Sequence, residues 1–280
     1  DYIVAPGADY KQIQIDIKGA ELSKDDQGNL IIKTPFGEIR EGQLKVYQND
    51  VLIEASWKIE GNMVSFDIPN YNADLALRID PLTRVWGTYY GGGADDMTMS
   101  IDNDNQGNIL ITGYTTSNNG ISSGGFQNNI QGSTDAFVSK FSALGNLIWG
   151  SYYGGSADEL SYSIKFDSTG YIYISGATES IFGIAQSGHQ GTYGGENFTN
   201  ASIYGDAFLV KFDLNGFRIW GTYYGGFGGD RGYSVTTDTD GNVYMCGGTK
   251  SIGGIAFNGH QSTYSHAEGI SEDAFLVKFD

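Results

Sequence analysis

One cysteine and four prolines are all that this chain of 280 residues contains. A single cysteine closes no internal disulfide, which excludes a small disulfide-stapled scaffold. Cys246 lies in the apolar run N-V-Y-M-C-G-G, where the expected role is a small buried hydrophobe rather than a reactive thiol. Scarce proline excludes a proline-rich linker. Basic residues are short as well, with 16 Lys plus Arg against 33 Asp plus Glu, a formal net charge of -17 and a pI near 4.3. Such a surface repels phosphate backbones and anionic membrane faces, so nucleic acid is not an expected partner, whereas divalent cations are compatible with it. No run approaches the roughly 20 apolar residues of a transmembrane segment. No basic start followed by an apolar stretch marks a signal peptide. The chain opens at Asp1 directly in strand-like sequence, as a mature or trimmed product would.

Helical periodicity is missing too. What is abundant is glycine, at 42 residues, with 19 Tyr and 15 Phe. Glycine supplies turn geometry and aromatics favour pleated, half-buried surfaces, so the composition predicts an all-β chain.

Self-similarity organises most of it. W-G-T-Y-Y-G-G at Trp86 and Trp220 and W-G-S-Y-Y-G-G at Trp149 are followed by M-S-I-D, Y-S-I-K or Y-S-V-T. Then come N-I-L-I-T-G, Y-I-Y-I-S-G or N-V-Y-M-C-G, and finally D-A-F-V-S-K-F or D-A-F-L-V-K-F. Asp104–Gly107, Asp167–Gly170 and Asp238–Gly241 read Asp-x-x-Gly, the chemistry of a type I turn closed by a left-handed glycine. Segments two and three therefore form a hairpin, and segment four pairs with the next W-G-x-Y-Y-G. The expectation is a partial β-propeller of three four-stranded repeat units, about 84–147, 148–218 and 219–280, within a region 82–280. Three blades fall short of the four to eight that close a ring. We therefore expect the repeats to continue in a longer protein, the first W-G-x-Y-Y-G strand to serve ring closure in the last blade, and an isolated fragment to be poorly stable.

Residues 1–81 differ. Ile13, Ile15 and Ile17 alternate with polar residues, the period of a half-buried strand. Further short strands separated by Gly and Asn turns predict a small antiparallel β domain, ending where Pro81 interrupts L-R-I-D-P.

The stretch W-G-T-Y-Y-G-G-F-G-G-D-R-G-Y-S-V-T-T-D-T-D-G-N-V-Y-M-C-G-G-T, with D-A-F-L-V-K-F-D after it, resembles the seven-bladed β-propeller (SBBP) repeat family of large bacterial secreted proteins. The leading D-Y-I-V-A-P-G-A-D-Y-K-Q-I-Q-I-D-I-K-G-A looks like the β domain that commonly precedes those repeats. The resemblance implies an extracellular or cell-surface protein, often from Bacteroidota, with adhesion modules and a type IX secretion signal further on. It also implies contact with secretion or outer-membrane machinery, and no common catalytic activity.

Candidate sites come from the aligned repeats. Asp96, Glu159 and Asp230 stack before the second segment, and Asp135, Asp206 and Asp273 stack at the start of D-A-F. Both columns fall at the end that carries the long loops 114–134, 177–205 and 248–272, where function concentrates. Two readings stand, an acidic rim for Ca²⁺ or a polar ligand, and carboxylates that cap backbone N–H groups in every unit. Asp102 and Asp104, with Asp238 and Asp240, resemble in composition the oxygen-rich loops that take calcium, without the later bidentate Glu. His189 and His260 align with Phe126, which points to packing rather than chemistry, and His266 has no evident partner. Phe182, Tyr193, Phe198 and Tyr204 sit among amides in the second long loop, suited to a protein or glycan ligand. Asn197 and Asn200 head N-x-S/T triplets, of consequence only in a eukaryotic secretory host. No G-x-S-x-G, H-E-x-x-H or phosphate loop is present. The expected function is a non-catalytic binding or scaffolding module. The alternative is a propeller enzyme acting on polysaccharide or protein through channel carboxylates, with Asp96, Glu159 and Asp230 first in line.

Overall fold

The computed structural model describes residues 2–35, 37–80, 86–195, 205–265 and 271–280. The chain divides into two compact units, Asp1–Val85 and Trp86–Asp280. Both are all-β, built of small antiparallel sheets of three or four strands.

In the first unit one sheet orders β1 (Tyr2–Val4), β10 (Leu77–Asp80), β6 (Lys45–Gln48) and β7 (Val51–Ile53). A second orders β2 (Ile15–Asp16), β9 (Met63–Asp67) and β8 (Ser56–Glu60). A third orders β3 (Glu21–Lys24), β4 (Leu30–Thr34) and β5 (Gly37–Glu41). Alternation in the strands turns Val46, Trp57, Val64, Phe66 and Ile79 into one buried core. The long alternating strand expected around Ile13–Ile17 is only two residues. Tyr10–Gln12 is a 3₁₀ turn, capped by Asp9 and closed by Ile13 N–H donating to Tyr10 O. The three isoleucines still pack against the core, so their alternation reports burial more than strand length.

The second unit contains three sheets in chain order. The first comprises β11 (Asp96–Asn103), β12 (Ile109–Thr115), β13 (Asp135–Phe141) and β14 (Leu147–Tyr153). The second comprises β15 (Glu159–Phe166), β16 (Ile172–Thr178), β17 (Asp206–Phe212) and β18 (Arg218–Tyr224). The third is β19 (Asp230–Thr237), β20 (Val243–Thr249) and β21 (Asp273–Phe279). Each W-G-x-Y-Y strand thus joins the sheet of the D-A-F strand before it, so a sheet straddles two sequence repeats.

The hairpin turns follow from sequence. Asp104 Oδ1 accepts from Gln106 N and Asn108 N, each at 2.9 Å, and Gly107 closes the turn at φ 77°, a conformation that costs glycine little. Bulges were not visible in the sequence. All three first strands shift register at the same place, between Thr98 and Ser100, Ser161 and Ser163, and Gly232 and Ser234.

Sheets bury their faces against their neighbours. Ile164, Ile174, Phe208 and Val210 of the second sheet join Leu110 and Val138 of the first in one core. A similar cluster links Tyr173 and Leu209 to Val235 and Met245 of the third sheet. Each fully buried side chain of this size contributes about 1.5–3 kcal/mol.

Two expectations fail here. The segment from Trp86 does not complete the last sheet. It forms no strand among the described residues, and Trp86 Nε1 donates to Ala143 O of the first sheet's turn at 2.9 Å. Cys246 is exposed, not buried. Thr112 and Ser175, at the same position in the first two sheets, are covered completely by the next sheet, and no described sheet follows the third.

Candidate functional site

The register sets a row of polar side chains across one end of each sheet. Asp96, Thr115 and Asp135 lie side by side, as do Glu159, Thr178 and Asp206, and Asp230, Thr249 and Asp273. The acid of the first strand serves the chain entering the sheet. Gly92 N, Gly155 N and Gly226 N donate to Asp96, Glu159 and Asp230 at 2.7, 2.7 and 2.9 Å. Thr115 and Thr178 hydroxyls donate to Asp96 and Glu159 at 2.5 and 2.6 Å. Ser117 and Ser251 donate to Asp96 and Asp230 at 3.0 and 2.8 Å.

The acid of the third strand ties down the long loop instead. Asp135 accepts from Gln127 Nε2, Gln131 N and Gly132 N at 2.8, 3.0 and 2.9 Å. Asp206 accepts from Gln190 Nε2 and Gly194 N at 3.1 and 2.8 Å, and Asp273 from Ser265 N at 2.8 Å. Gln127 and Gln190 also accept from Gly154 N and Gly225 N at 3.2 and 3.1 Å. Asp135, Glu159, Asp206 and Asp230 have no exposed surface. Asp135 and Glu159 serve backbone, hydroxyl and amide donors of the protein itself, as do Asp206 and Asp230 through Oδ2, while Asp206 Oδ1 and Asp230 Oδ1 are buried without a hydrogen-bond partner.

Burial at the junctions brings acids together. Gly154 lies between Asp135 and Glu159, and Gly225 between Asp206 and Asp230, so close that a Cβ on either glycine would overlap a carboxylate. Removal from water pushes Glu159 up to about 7, against the hydrogen bonds from Thr178 and Ser180, with the charge of Asp135 adding to the rise. Burial likewise raises Asp206 to about 7, opposed by Gly194 N–H and reinforced by Asp230. Asp135 and Asp230 are raised for the same first reason.

Open space lies beside this row. A cleft of about 590 Å³ separates the first and second sheets at the same end. Four carboxylates line it, from Asp95, Asp96, Asp158 and Glu179. Asp95 and Asp158 are exposed and Glu179 is half-buried. Burial and the neighbouring charge of Asp158 raise Glu179 above its ordinary value. Tyr114, Thr116 and Thr134 add hydroxyls, while Met97 and Leu160 supply an apolar wall. The cleft accepts hydrogen bonds strongly and carries negative charge, which suits a ligand rich in hydroxyl or ammonium donors.

Of the acids singled out in sequence, the cleft includes Asp96 alone. The others it uses had a signal. Asp95-Asp96 and Asp158-Glu159 are acidic doublets only in the two repeats that flank the cleft, and the third has Gly229-Asp230. The clamp glutamines were also legible, because Gln127, Gln190 and Gln261 recur after the Phe/His position.

The calcium candidates do not converge. Asp102 pairs with Lys165 Nζ of the second sheet at 2.8 Å, and Asp104 with buried Lys140 Nζ at 2.8 Å. Burial alone would raise Asp104, but the Lys140 ammonium and the Asn108 and Gln106 donors outweigh it and bring it down to about 2. Asp238 caps its own turn, accepting from Asp240 N at 3.0 Å and Asn242 N at 2.9 Å. Among the described residues no group of three or more His, Cys, Asp or Glu is arranged to hold a metal ion. Phe182 is 74% exposed, whereas Tyr193 packs on Tyr223 at 5.9 Å and anchors the loop. His189 packs edge-on against Phe279 at 5.8 Å, and His260 is exposed. Tyr204, Phe198, Asn197, Asn200, His266 and Pro81 lie outside the described residues.

No helix among the described residues is long and apolar enough to cross a membrane. No curated protein matches the chain. Residues 1–82 match the model of a family described as a domain of unknown function, DUF7948.

Proposed function

We propose that the chain is a non-catalytic extracellular or cell-surface module, a small β domain followed by β-propeller blades, that binds a glycan through the cleft between its first two sheets. The repeated antiparallel sheets of four, four and three strands, stacked face against face in sequence order, support the propeller reading, and the resemblance to SBBP repeats supports the surface location and a larger, type IX secreted parent. The observation that carries the binding reading is the set of four carboxylates this cleft gathers beside an apolar wall. Asp135, Glu159, Asp206 and Asp230 are buried, while Asp95, Asp158 and Glu179 join Asp96 around open space at one junction. Carboxylates accept from sugar hydroxyls, and Leu160 with Tyr114 offers the apolar surface that a pyranose face covers.

The enzyme reading asks Glu159 to act as a proton donor near neutral pH. Its raised pKa fits that role, but the group is fully buried and bonded to Thr178 and Gly155, out of reach of a polymer. The test is a glycan array followed by calorimetry on the intact chain. Binding that weakens at least about tenfold in Asp158→Asn and Glu179→Gln, with unchanged melting, supports the proposal. Absence of binding across neutral and amino-sugar glycans sinks it. Depolymerisation of any glycan, lost on one acid-to-amide change, establishes the enzyme in its place.

A further inference from the structure

The two acid junctions of the second unit differ in how completely their oxygens are served. At the first, Asp135 Oδ1 accepts from Gly132 N at 2.9 Å, and Oδ2 from Gln127 Nε2 and Gln131 N at 2.8 and 3.0 Å. Glu159 Oε1 accepts from Thr178 at 2.6 Å and Oε2 from Gly155 N at 2.7 Å. Every carboxylate oxygen there has a donor. At the second, Asp206 Oδ2 accepts from Gln190 Nε2 and Gly194 N at 3.1 and 2.8 Å. Asp230 Oδ2 accepts from Gly226 N and Ser251 Oγ at 2.9 and 2.8 Å. Asp206 Oδ1 and Asp230 Oδ1 have no hydrogen-bond partner among the described residues, although neither side chain has exposed surface. A buried polar atom left unserved is costly, more so when charged, and an ion or water is the usual remedy.

Sequence accounts for the difference. The strand after the first junction opens with Glu159, opposite Thr178, and the strand after the second with Asp230, opposite Thr249. The aspartate is one methylene shorter and reaches less far from its strand. The two acids still converge, because the point where a Cβ on Gly225 would stand lies 2.8 Å from Asp206 Oδ1 and 2.6 Å from Asp230 Oδ2. Main-chain oxygen is close by. The carbonyls of Gly226 and Gly225 stand 2.9 and 3.2 Å from the Cβ position of Gly194, whose N–H holds Asp206. Asp102 and Asp104 each have a lysine partner, whereas no ion pair reaches Asp206 or Asp230 among the described residues. Burial, reinforced by Asp230, accordingly raises Asp206 to about 7, and burial raises Asp230.

From the unserved oxygens and their convergence we propose that the junction between the second and third sheets binds one calcium ion, held by the carboxylates of Asp206 and Asp230. Only two acidic side chains take part, so main-chain oxygens complete the shell. The donors are all oxygen, with neither imidazole nor thiolate, which selects a hard cation over zinc or copper. Calcium accepts irregular sets of carboxylate and carbonyl oxygens, whereas magnesium demands near-octahedral geometry and keeps several waters, which a junction closed to solvent does not admit. A divalent charge balances both carboxylates at once. The ion ties the loop held by Asp206 to the strand opened by Asp230, and so fastens the second sheet to the third. The first junction, whose oxygens are all taken, is not such a site. This inference is independent of what the cleft binds.

Calorimetry of the chelator-stripped intact chain with calcium chloride at pH 7.5 tests it. The expected result is one ion per chain and a rise in Tm that magnesium chloride does not reproduce. Affinity is expected to weaken at least about tenfold at pH 5.5, where protons compete for the same oxygens. Terbium in place of calcium is expected to emit on tyrosine excitation, because Tyr193, Tyr223 and Tyr224 lie within electrostatic reach of the two acids, and calcium displaces that emission. Asp206→Asn and Asp230→Asn abolish both signals, while Asp135→Asn keeps them. Asp230→Glu reproduces the acid pair of the first junction, so it folds and binds calcium at least about tenfold more weakly. A parent chain that gives neither heat nor terbium emission overturns the proposal and leaves a proton as the junction's occupant. So does binding that survives both amide variants, that Asp135→Asn also removes, or that Asp230→Glu leaves at full strength.

Discussion

Gly225 shows how little freedom single positions have in this molecule. Its Cα hydrogen points at the carboxylates of Asp230 and Asp206, with 2.6 and 2.8 Å to the nearest oxygens from where a Cβ would stand. The acids cannot step aside, because Asp206 holds the long loop through Gly194 and Gln190 and Asp230 holds Gly226 and Ser251. Gly225→Ala is expected to cost about 1–3 kcal/mol, the range for inserting a methyl group into packed surroundings. Gly253→Ala, with nothing within 4 Å of its Cβ position, is expected to stay within about 0.5 kcal/mol of the parent. Urea melts of the two variants check the pair, and equal effects would refute the steric account. The same geometry explains why W-G-x-Y-Y ends in two glycines. The first passes between acids, and the N–H of the second is the donor to the next strand's acid.

At the level of elements, the junctions between sheets are where protons and stability meet. Glu159 and Asp206 ionise near 7 in the folded chain and near 4.5 and 3.8 in an unfolded one. A folded-state pKa above the unfolded one means stability present at low pH and lost as pH climbs through the folded value. Each group costs on the order of 3 kcal/mol across that window. Asp104 has the opposite sign, since its folded value is about 2 against 3.8. Its contribution is present above about pH 4 and disappears as pH falls through 2. The two together place maximal thermal stability near pH 4 to 5, more acidic than the common optimum between about 5 and 8. Calorimetric melts from pH 3 to 8 should show Tm falling from 5 to 7.5, with a shallower fall in Glu159→Gln. A Tm that rises over that interval would rule out buried neutral acids at the junctions.

At the largest scale, the second unit is a series of three sheets packed in sequence order. Ile101 in its first sheet and Leu276 in its third are exposed, where the equivalent Ile164 and Leu209 are buried. Ile164→Ala, at the buried position, is expected to cost about 2–5 kcal/mol, whereas Ile101→Ala at the exposed equivalent stays within about 0.5 kcal/mol, a contrast that urea melts check.

Sequence alone determined the elements, because each rests on local chemistry that repeats. Asp-x-x-Gly turns, aromatic and β-branched strands and the order of the four segments leave few alternatives to antiparallel sheets. The partner of each D-A-F strand was readable too, because the next W-G-x-Y-Y follows it after a short turn, whereas the register came from the structure. Tertiary structure decided what each repeated residue faces. Asp135, Glu159, Asp206 and Asp230 look alike in sequence to carboxylates of an open rim, yet the stacking of sheets removes them from water. Cys246 occupies a position that is buried twice and exposed once, for want of a covering sheet. The cleft arises only where two acidic doublets meet across a junction, which no single repeat contains. W-G-x-Y-Y-G-G is likewise one sequence with two fates, a paired strand where a D-A-F edge precedes it and an unpaired segment at Trp86, because a strand is completed by a neighbour and not by its own residues.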